Sequence, residues 1–347
     1  MYLKKLLLQN FRSFSSYEIT FSPTKNIIYG DNGVGKTNIL EAIHLLSTAR
    51  SFRTQNLADL ISKDKTYFYI EAEIEKDNIS QTIKLYFDKT KKKYIHNTTT
   101  HNSFTPLLGF LPSIMHSLDD FYIIKGKPQE RRQFLNIFLA QKDPLFVHYY
   151  LRYIKALKQK NYLLKTNKTN AIKPFEAQLI KAGSYISLKR DEFLKSLKKP
   201  FLEILNILTN ENLNLDLKYI SSVSFDKPEE IETSFTKLLL KQKQKEIDFR
   251  HSLVGPHRDD FSIVIDEKNT KLFASEGQKK LMLYAIRFAQ MKLINTPSLL
   301  LIDDFDAHLD NFHKNGIKKY LNNLSQVFIT APEKVELDDG NLIFLKK

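Results

Sequence analysis

Alternating or apolar runs at YLKKLLLQNF, SYEITF, TYFYIEAEIE, QTIKLYFD and KKYIHN predict that residues 1 to 115 are strand-rich. Only one helix is expected to interrupt them. It lies in TNILEAIHLLS, a few residues after the short apolar run Asn26-Ile27-Ile28-Tyr29. From about residue 127 to 209 the period becomes helical, with apolar positions at i, i+3 and i+4 in ERRQFLNIFLAQ, FVHYYLRYIKALKQKNYLL, FEAQLIKAGSYISLKRDEFLKSL and PFLEILNIL. These predict an inserted helical lobe. A weaker strand at LDLKYISSV and a helix over 228–245 lead back. Strands are then expected at FSIVID and TKLFA, a helix over 276–294, a buried strand at SLLLID, a helix after Leu309 and a last buried strand at QVFIT. Apolar strands alternating with helices predict a doubly wound α/β core with parallel strands. The longest segment expected to lack structure is 165–174. No internal repeat or low-complexity tract interrupts the pattern.

A chain of 347 residues suits two or three lobes. The expected division is residues 1–116, the helical lobe at 117–250, and 251–347 returning to the first lobe. With 42% hydrophobic and 27% charged residues, and no apolar run approaching the roughly 20 residues that cross a bilayer, the expectation is a soluble protein with no membrane partner. The start, MYLKKLLLQNFRSF, lacks the features of a secretory signal. Cysteine is absent, which excludes disulfides and thiolate metal sites and fits the cytoplasm.

The net charge of +14 fits a polyanionic partner, although a Lys-, Asn- and Ile-rich composition also follows from AT-rich codons. Basic residues recur on the helical lobe at Arg131, Arg132, Arg152, Lys155, Lys158, Lys160, Lys189 and Arg190. They are candidate DNA contacts, against the plainer reading of a solvated face.

Motifs narrow the choice. Residues 30 to 37, GDNGVGKT, satisfy G-x-x-x-x-G-K-[ST] between the apolar run and the helix, the context a phosphate-binding loop requires. Gly30, Asp31, Asn32, Gly33, Val34 and Gly35 form the loop, whose N–H groups would face phosphate oxygens, and Asn38 follows in the helix. Lys36 would reach the β- and γ-phosphates, and Thr37 would offer its hydroxyl to Mg²⁺. ATP and Mg²⁺ are the expected cofactors. The run SLLLIDD has the form of a buried strand ending in paired acids, with Asp303 on Mg²⁺ and Asp304 polarising the attacking water. The long separation of Lys36 from Asp303 implies a large insertion.

Shortly before Asp303, Ser275-Glu276-Gly277-Gln278 opens a helix, and Ser275 is a good N-cap. By itself this is a capped helix. Placed upstream of Asp303, it resembles the signature motif of ABC-type ATPases. That resemblance implies that Ser275, Gly277 and Gln278 bind the γ-phosphate of a nucleotide held by a second copy, so that ATP drives homodimerisation.

The ordered set LLLQNFRSF, GDNGVGKTNILEAIHLLSTARSFR, KGKPQERRQFLN, QKNYLL, GPHRDDF, SEGQKK, LLLIDD and QVFIT resembles the RecF family, SMC-like DNA replication and repair ATPases of bacteria, over nearly the whole chain. The resemblance implies an α/β fold, an ABC-type P-loop ATPase lobe with mixed sheet and doubly wound core, interrupted by a helical lobe and without long coiled coils. It also implies Lys36 and Thr37 on phosphate and Mg²⁺, Asp303 on Mg²⁺, Asp304 as the catalytic acid, and Arg12 and Arg53 as nucleotide contacts. Asp119 and Asp120 fall in the segment that links the lobes in that family, where LDDF stands for the usual Pro-Glu-Asp run.

Other departures are Glu276 for Gln, Lys280 for Arg, Ala307 and His308 in the loop after Asp304, and Thr330 where many ABC ATPases carry a histidine. Slow turnover follows as an expectation. The implied role is ATP-dependent dimerisation on single-stranded and duplex DNA, at gap junctions, acting with RecR and RecO to load RecA in recombinational repair and the SOS response. Two other readings stay open: an ABC transporter nucleotide-binding subunit, and a DNA clamp switched by ATP without hydrolysis.

Overall fold

The protein is described by a computed structural model that covers residues 1–305 and 311–346. The first strands are β1 (Tyr2–Phe11), β2 (Phe14–Thr20), β3 (Lys25–Tyr29), β4 (Phe68–Lys76), β5 (Ile79–Phe87), β6 (Lys92–His96), β7 (Thr99–His101) and β8 (Ser113–His116). After them come β9 (Leu215–Ile220), β10 (Asp260–Ile265), β11 (Lys268–Asn269), β12 (Leu299–Ile302), β13 (Gln326–Ala331) and β14 (Gly340–Phe344). The helices are α1 (Lys36–Thr48), α2 (Tyr122–Lys125), α3 (Pro128–Lys142), α4 (Pro144–Lys165), α5 (Lys173–Thr209), α6 (Ile231–Phe249), α7 (Thr270–Phe273), α8 (Glu276–Leu293) and α9 (Asn311–Leu321).

The chain forms two compact units, one of Met1–Asp120, Ile204–Glu211 and Lys280–Lys347, the other of Phe121–Glu203 and Asn212–Lys279. In the first unit the alternating strands build an antiparallel sheet in the order β2-β1-β4-β5-β6-β7. The continuous apolar runs build a parallel one, β14-β3-β13-β12-β8. β12 and β13 are buried at every position, as strands covered on both faces should be.

Helix α1 packs against strands of both sheets. It therefore buries residues on every side, from Ile39 and Leu40 to Leu45 and Leu46. One apolar core fills the space, including Leu6, Phe11, Ile43, Phe68, Leu301 and Phe328.

In the second unit the long helices accompany a small antiparallel sheet, β11-β10-β9. FSIVID, expected in the parallel core, is β10 of this sheet and pairs with LDLKYI. TKLFA, expected as a strand, is the helical turn α7, because the Asn269 side chain accepts from Lys271 N–H and caps it. The segment 165–174 is mostly ordered: α4 runs to Lys165, a 3-10 turn occupies Thr169–Ala171, and α5 starts at Lys173. Strands β7, β8, β11 and β14 are additional to those expected.

Candidate nucleotide site

The loop between β3 and α1 is closed by glycines in conformations that side chains resist. Gly30 has φ 147°, and a Cβ there would lie 2.4 Å from the Leu345 carbonyl oxygen just beyond β14. Gly35 has φ 110°, and its Cβ would lie 2.7 Å from the Phe14 ring. Asp31, Asn32 and Gly33 are exposed at the loop's crest, while Val34 is buried beneath it. Gly35 is the N-cap of α1 and, among the described residues, no side chain caps the helix, so its first N–H groups stand ready for an anion.

The Lys36 ammonium, 6% exposed, donates to the carbonyls of Gly30 (2.7 Å) and Asp31 (2.9 Å). It is thus held under the loop by the backbone that would surround a phosphate.

Parallel register carries the acids to the same edge. β12 ends at Ile302, opposite His116 of β8 and Ile329 of β13, so Asp303 emerges beside α1. One Asp303 carboxylate oxygen, Oδ1, accepts from Thr37 Oγ1 at 2.9 Å and from Thr330 Oγ1 at 2.6 Å. The Thr330 hydroxyl accepts in turn from Asp304 N–H at 2.9 Å. Burial raises the Asp303 pKa, the two threonine hydroxyls oppose the shift, and neighbouring Asp304 adds to it. Such a group favours a cation that neutralises it. Asp304 stands at φ 52°, in the left-handed region.

Behind the loop lies a carboxylate that motif reading missed. Glu41 of α1 is fully buried and accepts from Arg12 Nε (2.8 Å), Arg12 Nη2 (2.7 Å) and Ser51 Oγ (2.5 Å). Arg12 also donates to the Asp59 carbonyl at 3.0 Å. Arg53 donates to Asn38 Oδ1 at 3.0 Å and lies 3.6 Å from Glu41, and Asn38 donates to Ser13 Oγ at 2.9 Å. Arg12, Arg53 and Asn38 therefore meet around α1, with Glu41 orienting both arginines. A charged residue inside the apolar stretch ILEAIHLL was the available signal.

The signature segment is a closed capping box. Ser275 N–H donates to Gln278 Oε1 (2.9 Å), and Gln278 N–H donates to Ser275 Oγ (3.2 Å). Ser275, Glu276, Gly277 and Gln278 are all exposed, and among the described residues, its chain neighbours and its own helix's backbone aside, nothing lies within 4 Å of where a Gly277 Cβ would be. Glu276 is engaged by Lys125 at 2.5 Å.

Further along the same helix, Arg287 of α8 forks onto Asp120 Oδ2 at 2.9 and 2.7 Å, and Ser117 N–H donates to the same oxygen at 3.2 Å. Burial pushes the Asp120 pKa up, against the pull of Arg287. His116, its ring tilted 31° against that of Tyr284 of α8, is held neutral by burial, its pKa lowered to about 3. The departures at Ala307 and His308 lie outside the described residues.

The chain resembles known proteins over nearly its whole length. The RecF/RecN/SMC N terminal domain family matches residues 2–344. DNA replication and repair protein RecF of Protochlamydia amoebophila is 37% identical over 97% of this chain and 96% of its own length. That of Chlamydia abortus is 34% identical over 99% and 96%. Among solved structures, the recombination mediator protein RecF with ATP, described as in the RecFOR pathway, superposes with TM-score 0.90 at 28% identity, covering 97% of this chain and 93% of that one. An SMC head bound to the C-winged helix domain of ScpA shares the fold at 19% identity and TM-score 0.58, covering 99% and 94%. The chain belongs to the RecF family of DNA replication and repair proteins.

Proposed function

We propose that the chain is an ATP-dependent dimer switch on DNA, in which nucleotide closes two copies together and slow hydrolysis releases them. The observation that carries this reading is the convergence of Thr37, Asp303 and Thr330 at the uncapped N-terminus of α1. That donor set consists of hard oxygens, which fits Mg²⁺. Thr37 and Asp303 would hold the ion, which when bound offsets phosphate charge.

Lys36 would exchange its loop carbonyls for the β- and γ-phosphates, and the free N–H groups of α1 would bind the same anion. Asp304, aimed by its left-handed backbone and its hydrogen bond to Thr330, would orient the attacking water and accept its proton. Thr330 offers no cationic partner for the γ-phosphate, which supports slow turnover. Arg12 and Arg53, set by Glu41, would complete the nucleotide's surroundings.

The exposed box of Ser275, Gly277 and Gln278 supports a trans role, since an uncrowded helix start can accept the γ-phosphate presented by a second copy. The domain reading proposed is an ATPase lobe from 1–116 and 251–347 with a helical lobe at 117–250 between them. RecO and RecR as partners, RecA loading at single-stranded gaps within recombinational repair and the SOS response, and a cytoplasmic site of action are proposed from family membership.

Size measurement with ATP, Mg²⁺ and a short gapped duplex, beside steady-state hydrolysis, tests the switch. The expected outcome is a dimer only with nucleotide, turnover raised by DNA, loss of both in Lys36→Ala and a persistent dimer in Asp304→Asn. A monomer under every condition overturns the dimer reading. Turnover indifferent to DNA and to both substitutions overturns the enzymatic one.

A further inference from the structure

We infer that the exposed face of α4 is a phosphodiester-binding strip through which the helical unit grips DNA; this rests on the DNA-binding reading above. The structure sorts the eight basic residues that sequence alone could not separate. Arg131 forks onto Asp260 at 2.7 and 2.5 Å, and Arg132 donates to the Asp259 carbonyl at 2.7 Å. Lys160 is buried between Glu246 and Glu176. Arg190 is buried on Asn136 and the Pro256 carbonyl, and Lys189 pairs with Glu192. These five build the unit. Their hydrogen bonds and ion pairs are made within it.

Arg152, Lys155 and Lys158 differ. All three are exposed on α4, with His148 and Lys165 exposed on the same helix. Among the described residues Lys155, Lys158 and Lys165 take part in no ion pair, and Arg152 touches only His148, at 3.4 Å. The helix PLFVHYYLRYIKALKQKNYLLK contains no carboxylate at all. An ordinary solvated helix face mixes both signs at i, i+4, which relieves repulsion. This one leaves its repulsion unrelieved, as a surface shaped for a polyanion does.

Geometry makes the strip continuous. At about 100° per residue, Leu151, Lys155, Lys158, Tyr162 and Lys165 fall within about 80° of arc, and at about 1.5 Å per residue they cover about 21 Å. That length reaches several backbone phosphates. The opposite face buries Phe146, Tyr153, Ala156 and Leu164, so the strip is held on a rigid support. Tyr162 (58% exposed) stands between the cations and Leu151 (53%) at the start of the strip; both offer apolar surface to deoxyribose, while the phenol can donate to phosphate.

Contacts of this kind position a duplex without reading sequence, and each releases condensed counterions. The test is fluorescence anisotropy of the full chain on a labelled gapped duplex from 50 to 300 mM salt. Wild type is compared with Lys155→Ala/Lys158→Ala/Lys165→Ala and with a charge-matched control, Lys63→Ala/Lys65→Ala/Lys91→Ala, all exposed residues of the first unit. The expected result is a slope of log affinity on log salt shallower by about 2 to 3 in the α4 variant, with affinity lower by at least about tenfold at 100 mM, and little change in the control. An unchanged slope in the α4 variant, while wild type binds, overturns the inference and leaves the strip to an acidic protein segment. Equal losses in both variants overturn it too, since the charge would act nonspecifically. Failure of wild type to bind DNA overturns the underlying reading instead.

Discussion

Thr330 does two jobs with one hydroxyl: it donates to the Asp303 carboxylate and accepts from Asp304 N–H. A left-handed residue other than glycine costs about 1 to 3 kcal/mol and persists only where its surroundings hold it. Thr330 supplies part of that hold for Asp304. Thr330→Val keeps the shape and removes both bonds. Since hydrogen bonds to charged groups are worth about 1.5–3 kcal/mol, kcat should fall about tenfold to a hundredfold. ATP affinity, set chiefly by Lys36 and the loop, should change by less than about threefold. Thr330→Ser should restore most of the rate. Steady-state kinetics with equilibrium nucleotide binding separate the two effects, and an equal loss in affinity would contradict the assignment.

At the scale of elements, α8 is fastened by Arg287 to Asp120, with side chains 9% and 5% exposed. Removing one member of a buried pair strands the other charge, at a cost of about 3–5 kcal/mol. Arg287→Met should lower stability by that order in urea unfolding. Asp120→Asn combined with Arg287→Met should recover part of it, because the stranded carboxylate is gone. Additive losses would show that the pair is not coupled.

Asp120 stood out in LDDF, but its pairing with Arg287 could not be found from the chain alone, since the two are far apart in sequence and Arg287 lies in unremarkable surroundings. The paired acids after LLLI and the glycines before Lys36 were legible because each sits at the end of an apolar run, where local pattern and chemistry coincide. β14 was not, because GNLIF is short, has Leu342 and Phe344 half-exposed, and owes its place to pairing with β3. TKLFA misled because its residues suit a strand, whereas the cap from Asn269 decides its conformation. Glu41 went unread as an organiser because its arginine partners lie on other segments.

For the molecule as a whole, buried histidines set an acid limit. His44 and His116 are fully desolvated, and burial holds both pKa values down at about 3 against an ordinary value near 6.5. Between those values the unfolded chain binds more protons than the folded one. Stability is therefore complete above about pH 6.5 and declines as pH falls through the window, at up to about 1.4 kcal/mol per pH unit for each histidine. Asp120 and Asp303, both raised by burial, act with the opposite sign nearer the carboxylate range. Urea midpoints at pH 7.5, 6.5 and 5.5 should fall most across the last interval, and His116→Asn should flatten that fall only in part, because His257, lowered by burial to about 4, contributes as well. A pH-independent midpoint would contradict the burial of both rings.

The close approach of Gly30 to the Leu345 carbonyl has a bearing on how the protein is made. β3 is synthesised long before its neighbours in the sheet, β13 and β14. At about 5–20 residues per second, the phosphate loop waits on the order of tens of seconds for its flank to leave the ribosome. Nucleotide therefore cannot assist the placing of the loop before β13 and β14 have been made. A bulky fusion placed directly after residue 345 should, for the same reason, slow the acquisition of ATP binding more than one placed before Met1.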